Sequence, residues 1–197
     1  MLNLCFVIAS YLVGSLSAAI LVCRALGKGD PRSVGSGNPG ATNVLRAYGK
    51  GPAVATLAGD VLKGFLPVVI GAGLGLSPLI VALAGVAAFL GHLFPVFFSF
   101  KGGKGVATLI GVICGYDWRL GGGFIVSWLL VAAWSRYSSL AALCAAAFTP
   151  VLALALRLPL PYACAAVVMV AAVFWRHREN IQRLRAGTEG RIGARRA

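Results

Sequence analysis

In residues 97–108, FFSFKGGKGVAT, two lysines and three glycines interrupt an otherwise apolar chain. Glycine has no Cβ, so the run Lys101-Gly102-Gly103-Lys104-Gly105 lets backbone N–H groups come close to a bound group, and two ammonium charges stand beside those dipoles. Such a run is suited to phosphate. Its flanks, 92–100 and 106–113, are apolar enough to lie in a bilayer, which places the anion site at a membrane surface.

The rest of the chain supports a membrane setting. Of the 197 residues 59% are apolar, against roughly 45–50% in soluble domains, and the mean hydropathy is +0.86. A net charge of +13 ordinarily points to nucleic acid. Here the cations sit in short loops between apolar segments, so no nucleic-acid partner is expected. The five cysteines (Cys5, Cys23, Cys114, Cys144, Cys164) stand singly in or beside apolar segments and read as small buried hydrophobes, with no disulfide. Two histidines and five scattered carboxylates offer no metal constellation, and no cofactor is expected.

Apolar runs predict an all-α integral membrane protein, one membrane-embedded domain over residues 1–197 with seven transmembrane helices at about 2–22, 52–74, 77–97, 106–116, 120–134, 140–156 and 161–175. The fourth is short for a crossing at 1.5 Å per residue. Lysine and arginine concentrate on the cytoplasmic side of membrane proteins. With seven spans, fifteen of the eighteen cations share one face, Arg119 and Arg157 lie opposite, and Lys63 falls inside a helix. That places the N-terminus outside and the basic tail, 176–197, in the cytoplasm. Merging the fourth and fifth helices would destroy the asymmetry.

Five other places in the chain carry polar chemistry. The first loop, RSVGSGNPGATNVLR (32–46), contains a literal GxGxxG, but a membrane helix precedes it where the dinucleotide fingerprint needs a strand. What remains is a run of glycine, hydroxyl and amide donors with an arginine at each end, and Ser36, Gly37, Asn38, Thr42, Asn43 and Arg46 are its candidate anion-holding residues. The lysine run likewise lacks Walker A spacing. Asp60 and Lys63, three residues apart in an apolar helix, read as a structural ion pair, and His92 as a satisfied polar residue. Ser139 lies in a short hydroxyl-rich turn on the same face as the loops and is a candidate substrate contact. If the last helix continues, His177, Asn180 and Leu184 share one of its faces.

Taken together, GSGNPGATNVLR, GHLFPVFFSFKGGKGVAT and HRENIQRLRAGTE, in this order and on one face, resemble the three motifs of the bacterial acyl-phosphate:glycerol-3-phosphate acyltransferase family. The resemblance spans nearly the whole chain. It implies transfer of a fatty acyl group from acyl phosphate to the primary hydroxyl of glycerol 3-phosphate, with membrane lipid as the setting, at the cytoplasmic face of a bacterial inner membrane. Carried to matching positions, it makes Ser36 and Arg46 essential, 101–105 a phosphate-binding loop, His177 and Asn180 active, and Glu189 structural. Lys104 and Arg46 are then the expected stabilisers of developing negative charge. An anion transporter is the other class that shows intramembrane charge and glycine-broken segments, but the chain has no internal repeat and its cations cluster on one face.

Overall fold

A computed structural model describes residues 1–193; Arg195 and Arg196, counted above in the basic tail, lie outside the described residues. The described residues form ten α-helices and two short 3-10 turns, with no strand. In chain order the helices are α1 (Leu2–Gly14), α2 (Ala18–Ala25), α3 (Ala41–Tyr48), α4 (Lys50–Gly73), α5 (Pro78–Leu93), α6 (Val106–Tyr116), α7 (Trp118–Ser135), α8 (Ser138–Ala155), α9 (Leu160–Arg176) and α10 (Arg178–Arg185).

By length and apolarity α4, α5 with its 3-10 extension to Phe98, and α8 each suffice to cross a bilayer, and the pairs α1/α2 and α9/α10 do so as bent units. α6 has 11 residues, about 16 Å of helix, which is half a hydrocarbon core. It is nevertheless a separate element from α7. Asp117 breaks the helix in an extended conformation and caps α7 by accepting from the Arg119 N–H at 2.8 Å. A Cβ on Gly121 would lie 2.0 Å from Cys114 Sγ, so the first turn of α7 packs directly against the end of α6.

Two expectations from the sequence are corrected here. The first apolar segment is not one helix: it bends by 48° at residues 15–17, where Ser15 turns its hydroxyl onto the Tyr11 carbonyl. The first loop is not irregular throughout, since it contains α3, whose Val44 packs with Ala19, Cys23 and Ala53 in a small core beneath the loop. The last span ends near its predicted limit, at Arg176, and the chain turns by 58° into a separate helix, α10, with His177 at the corner. His177 and Asn180 are still both buried, at 4% and 7% exposure, because α10 folds back over the bundle end.

The main core lies among α4 to α9 and is filled by Val68, Phe89, Leu93, Leu109, Ile113, Phe124 and Met169. Where α6 crosses α4, a Cβ on Gly111 would sit 2.0 Å from the Val61 carbonyl oxygen. Small residues at such crossings let backbones pack in place of the hydrophobic drive that lipid does not supply. The close crossing fixes the height of the segment that enters α6, which is the lysine run.

Candidate active site

The first wall of the site is the loop before α3. Asp30 starts the 3-10 turn 31–33 by accepting from the Arg32 N–H at 2.9 Å, and its second oxygen takes the Arg32 guanidinium at 2.7 Å. These bonds hold the Asp30 carboxyl below the ordinary carboxylate range, the Arg32 side chain contributing most. Arg32 also donates to the Phe98 carbonyl at 3.3 Å, tying the loop to the segment that leads into the lysines. Gly35 and Gly37 both adopt left-handed backbone, φ +62° and +69°, which glycine tolerates without strain.

Asn43 makes the loop a fixed shape. Its side-chain oxygen accepts from the Ser36 N–H at 3.0 Å, and its amide donates to the Pro31 and Val34 carbonyls at 2.8 and 3.0 Å. With both donors spent and the side chain 3% exposed, Asn43 shapes the loop that holds Ser36 and lines the base of the cavity beside it. Ser36 and Arg46 share a cavity of about 290 Å³ on one side of this loop. On the other side Gly37 and Pro39 face Lys101, Gly102 and Arg176 across a cavity of about 680 Å³. Thr42 is exposed and Asn38 half-buried beside Gly40.

The lysine run forms the floor, and its glycines serve packing. A Cβ on Gly102 would lie 2.0 Å from the His92 carbonyl oxygen, one on Gly103 2.3 Å from His92 Nε2, and one on Gly105 2.4 Å from the Phe89 ring. The glycines therefore let the run lie against the end of α5. Arg176, at the end of α9, holds it from the other side, donating to the Gly102 and Gly103 carbonyls at 2.8 and 3.1 Å. The Lys101 and Gly103 N–H groups are used on the Phe98 and His92 carbonyls. The N–H groups of the first turn of α6 have no partner within their helix. Lys101 is exposed and Lys104 half-buried.

The third wall is a hydrogen-bonded chain. The Lys104 ammonium donates to Asn180 Oδ1. Asn180 Nδ2 donates to Glu189 Oε1 at 2.6 Å, the Ser139 hydroxyl to the same oxygen at 2.7 Å, and Arg183 Nε to Oε2 at 2.7 Å. Ser139, expected to touch substrate, instead spends its hydroxyl on Glu189. Glu189 is the joint at which α8, α10 and the segment after α10 meet. Its neighbour Gly190 faces the Arg46 guanidinium, closing the ring from the third motif back to the first.

Burial pushes the Lys104 ammonium below its usual pKa, with the Arg183 cation adding to the effect and Glu189 opposing it. His177 is brought down to about 4, chiefly by burial and then by the Lys104 charge, although the bond to Val173 works against both. Its Nδ1 lies 2.8 Å from the Val173 carbonyl. A carbonyl can only accept, so the proton sits on Nδ1 and the Nε2 lone pair is free for a ligand. At neutral pH the imidazole is uncharged.

The structure thus brings Ser36, Arg46, Lys101, Lys104, His177 and Asn180 to one end of the bundle. Asp60 and Lys63 lie deeper, paired at 2.9 Å and buried. Sequence reading missed the roles of Asp30, Arg32 and Arg176. The Asp30-Pro31 pair is a capping signal that could have been read. Arg176 grips residues 73 and 74 positions away, a contact with no local signature.

Comparison with known proteins gives a consistent set of neighbours. A family model described as glycerol-3-phosphate acyltransferase matches residues 4–187. The glycerol-3-phosphate acyltransferase of Thioalkalivibrio sulfidiphilus is 55% identical over 187 residues, covering 95% of this chain and 92% of the relative. That of Halorhodospira halophila is 54% identical over 194 residues, 98% of each. Among solved structures, PlsY (YgiH), an integral membrane glycerol 3-phosphate acyltransferase in its glycerol 3-phosphate form, superposes with a TM-score of 0.93 at 40% identity, covering 98% of this chain and 96% of that one. Its lysophosphatidic acid form gives 0.92 at 39%.

Proposed function

The chain belongs to the glycerol-3-phosphate acyltransferase family, an integral membrane family of phospholipid synthesis, and from that premise we propose that it transfers a fatty acyl group from acyl phosphate to the sn-1 hydroxyl of glycerol 3-phosphate. The products are lysophosphatidic acid and inorganic phosphate. The observation that carries this reading is the meeting of three basic segments far apart in the chain, joined by Lys104 to Asn180, by Arg32 to the Phe98 carbonyl and by Arg46 beside Gly190. Two phosphate-bearing reactants, one with a lipid tail, call for such a site at a membrane face.

Transfer runs by direct attack. The glycerol 3-phosphate hydroxyl adds to the acyl carbonyl carbon, negative charge gathers on the carbonyl oxygen, and the C–O bond to phosphate breaks as the carbonyl re-forms. Phosphate leaves readily, so the protein's task is to align the two reactants and stabilise the charge. Arg46, Lys104 and the N–H groups of the glycine loop and of the first turn of α6 supply that stabilisation. Asn180 holds the Lys104 ammonium in place, and Ser36 hydrogen-bonds a substrate oxygen. His177 accepts a hydrogen bond from the attacking hydroxyl through Nε2. With a pKa of about 4 the imidazole is a weaker base than a phosphate oxygen, whose second pKa is about 6, so the proton passes to substrate phosphate. Ser36 Oγ has no hydrogen bond to a base among the described residues, which argues against an acyl-enzyme.

Seven crossings, with the N-terminus outside and the site on the cytoplasmic face of a bacterial inner membrane, accord with fifteen of eighteen cations on one side and with the break between α6 and α7 at Asp117. Purified protein given acyl phosphate and glycerol 3-phosphate is expected to form 1-acyl lysophosphatidic acid and inorganic phosphate in equal amounts. Absence of both products under conditions that keep the protein folded would reject the reaction.

A further inference from the structure

Beneath the lysine run lies a polar cluster that the reaction above does not use. Lys63 Nζ stands 2.9 Å from Asp60 Oδ1 and donates to the Leu16 carbonyl at 2.8 Å, a carbonyl left open by the break between α1 and α2. His92 Nδ1, on α5, faces the same Asp60 oxygen at 3.4 Å. All three side chains are at most 6% exposed. Ionised groups at this depth are costly and are retained where they do something.

The far edge of the imidazole is where the cluster meets the site. With Nδ1 turned to Asp60, the Nε2 edge points at Gly103: a Cβ there would lie 2.3 Å from Nε2 and 2.8 Å from Cε1. The Gly103 N–H donates to the His92 carbonyl at 3.2 Å, and its carbonyl is taken by Arg176 at 3.1 Å. The 102–103 peptide is thus clamped between α5 and α9, with Lys101 on one side and Lys104 on the other. We infer that Asp60, Lys63 and His92 form one positioning unit, in which the ion pair orients the His92 ring and the ring sets the lysine run at the height the anionic substrates need. These are positioning residues, since none of them contacts the site's reacting groups. The inference rests on the acyl-transfer reading for its kinetic effect but not for its geometry.

His92→Asn separates positioning from stability. Asparagine keeps an N–H group opposite Asp60 where Nδ1 stands, and the Lys63 ammonium at 2.9 Å still balances the buried carboxylate, but it lacks the Nε2 and Cε1 atoms that press on Gly103. The expected result is a thermal midpoint close to that of the wild type with kcat/KM for glycerol 3-phosphate lower by at least about tenfold, because a shift of about 1 Å in a positioning group costs up to 10²-fold. Gly103→Ala in the wild-type background should lose about 10²-fold, and in the His92→Asn background only a few-fold beyond His92→Asn itself, since the space for the new methyl is then open. His92→Asn with wild-type constants, or a Gly103→Ala penalty equal in both backgrounds, overturns the inference. Should His92→Asn not accumulate folded, Gly103→Ala alone decides: wild-type constants in that variant overturn it. Affinity for glycerol 3-phosphate, measured with no donor present, carries the same comparison. A wild type that binds glycerol 3-phosphate but makes no product therefore faults the proposed donor, while the positioning unit is still read out by binding.

Discussion

Lys104→Ala is expected to lower turnover by about 10³-fold, about 4 kcal/mol of transition-state stabilisation, while the protein still inserts and folds. The ammonium sits half-buried at the foot of α6, where burial strengthens every charge interaction, and Asn180 fixes its direction. On the proposed mechanism, losing it removes one of the charges that stabilise the oxyanion and the departing phosphate. It also leaves Asn180 Oδ1 without its donor, a stability cost of only about 1–3 kcal/mol. Steady-state kinetics with both substrates, paired with a thermal melt, check this. A variant within threefold of wild type would make the lysine run a membrane anchor only.

Glu189→Ala should behave differently, losing stability and activity together. Its carboxylate receives hydrogen bonds from Ser139, Asn180 and Arg183 at 2.6 to 2.7 Å, so alanine strands three donors and unhooks α10 from α8. A loss of about 1–3 kcal/mol, the cost of leaving hydrogen-bonding groups unpaired at a half-buried site, should appear as a clear drop in thermal midpoint. Turnover should fall at least about 10²-fold, because Asn180 then no longer holds Lys104. The acid limb carries a sign. Burial works against ionisation of Glu189, but the hydrogen bonds from Asn180, Ser139 and Arg183 outweigh it and hold the folded pKa below the usual glutamate value. The stabilisation is therefore fully present above the unfolded pKa of about 4.3 and is lost as pH falls through the lower folded value. The gap in thermal midpoint between wild type and Glu189→Gln should close as pH drops from 6 to about 3; a gap independent of pH would mean that the carboxylate's charge contributes nothing.

The contrast between these two residues shows what was legible in the sequence. Apolar runs of bilayer length exposed the helical membrane fold, and the three motifs exposed the residues that meet. Their division of labour was not legible. Asn43 and Ser139 looked like ligand contacts because amide and hydroxyl groups suit anions, yet both are spent on the protein, one folding the glycine loop and the other holding Glu189. Gly102, Gly103 and Gly105 looked like room for phosphate, and the structure shows that they also make room for the end of α5. Nothing within five residues of Gly103 announces that an imidazole lies against it. The break in the first span was signalled only by the small residues Gly14, Ser15 and Ser17, and α3 only by Val44 and Tyr48 at helical spacing. The 58° turn at His177 is set by tertiary bonds to Asn180 and Glu189, which no local pattern encodes.

The most direct measurement is a rapid-quench single turnover with acyl phosphate labelled in its carbonyl carbon, run with and without glycerol 3-phosphate. Direct attack between two anions held side by side gives no labelled protein when the acceptor is missing, and label that passes straight into lysophosphatidic acid when it is present. Label bound to Ser36, formed without acceptor and chased into product on adding it, would contradict the account.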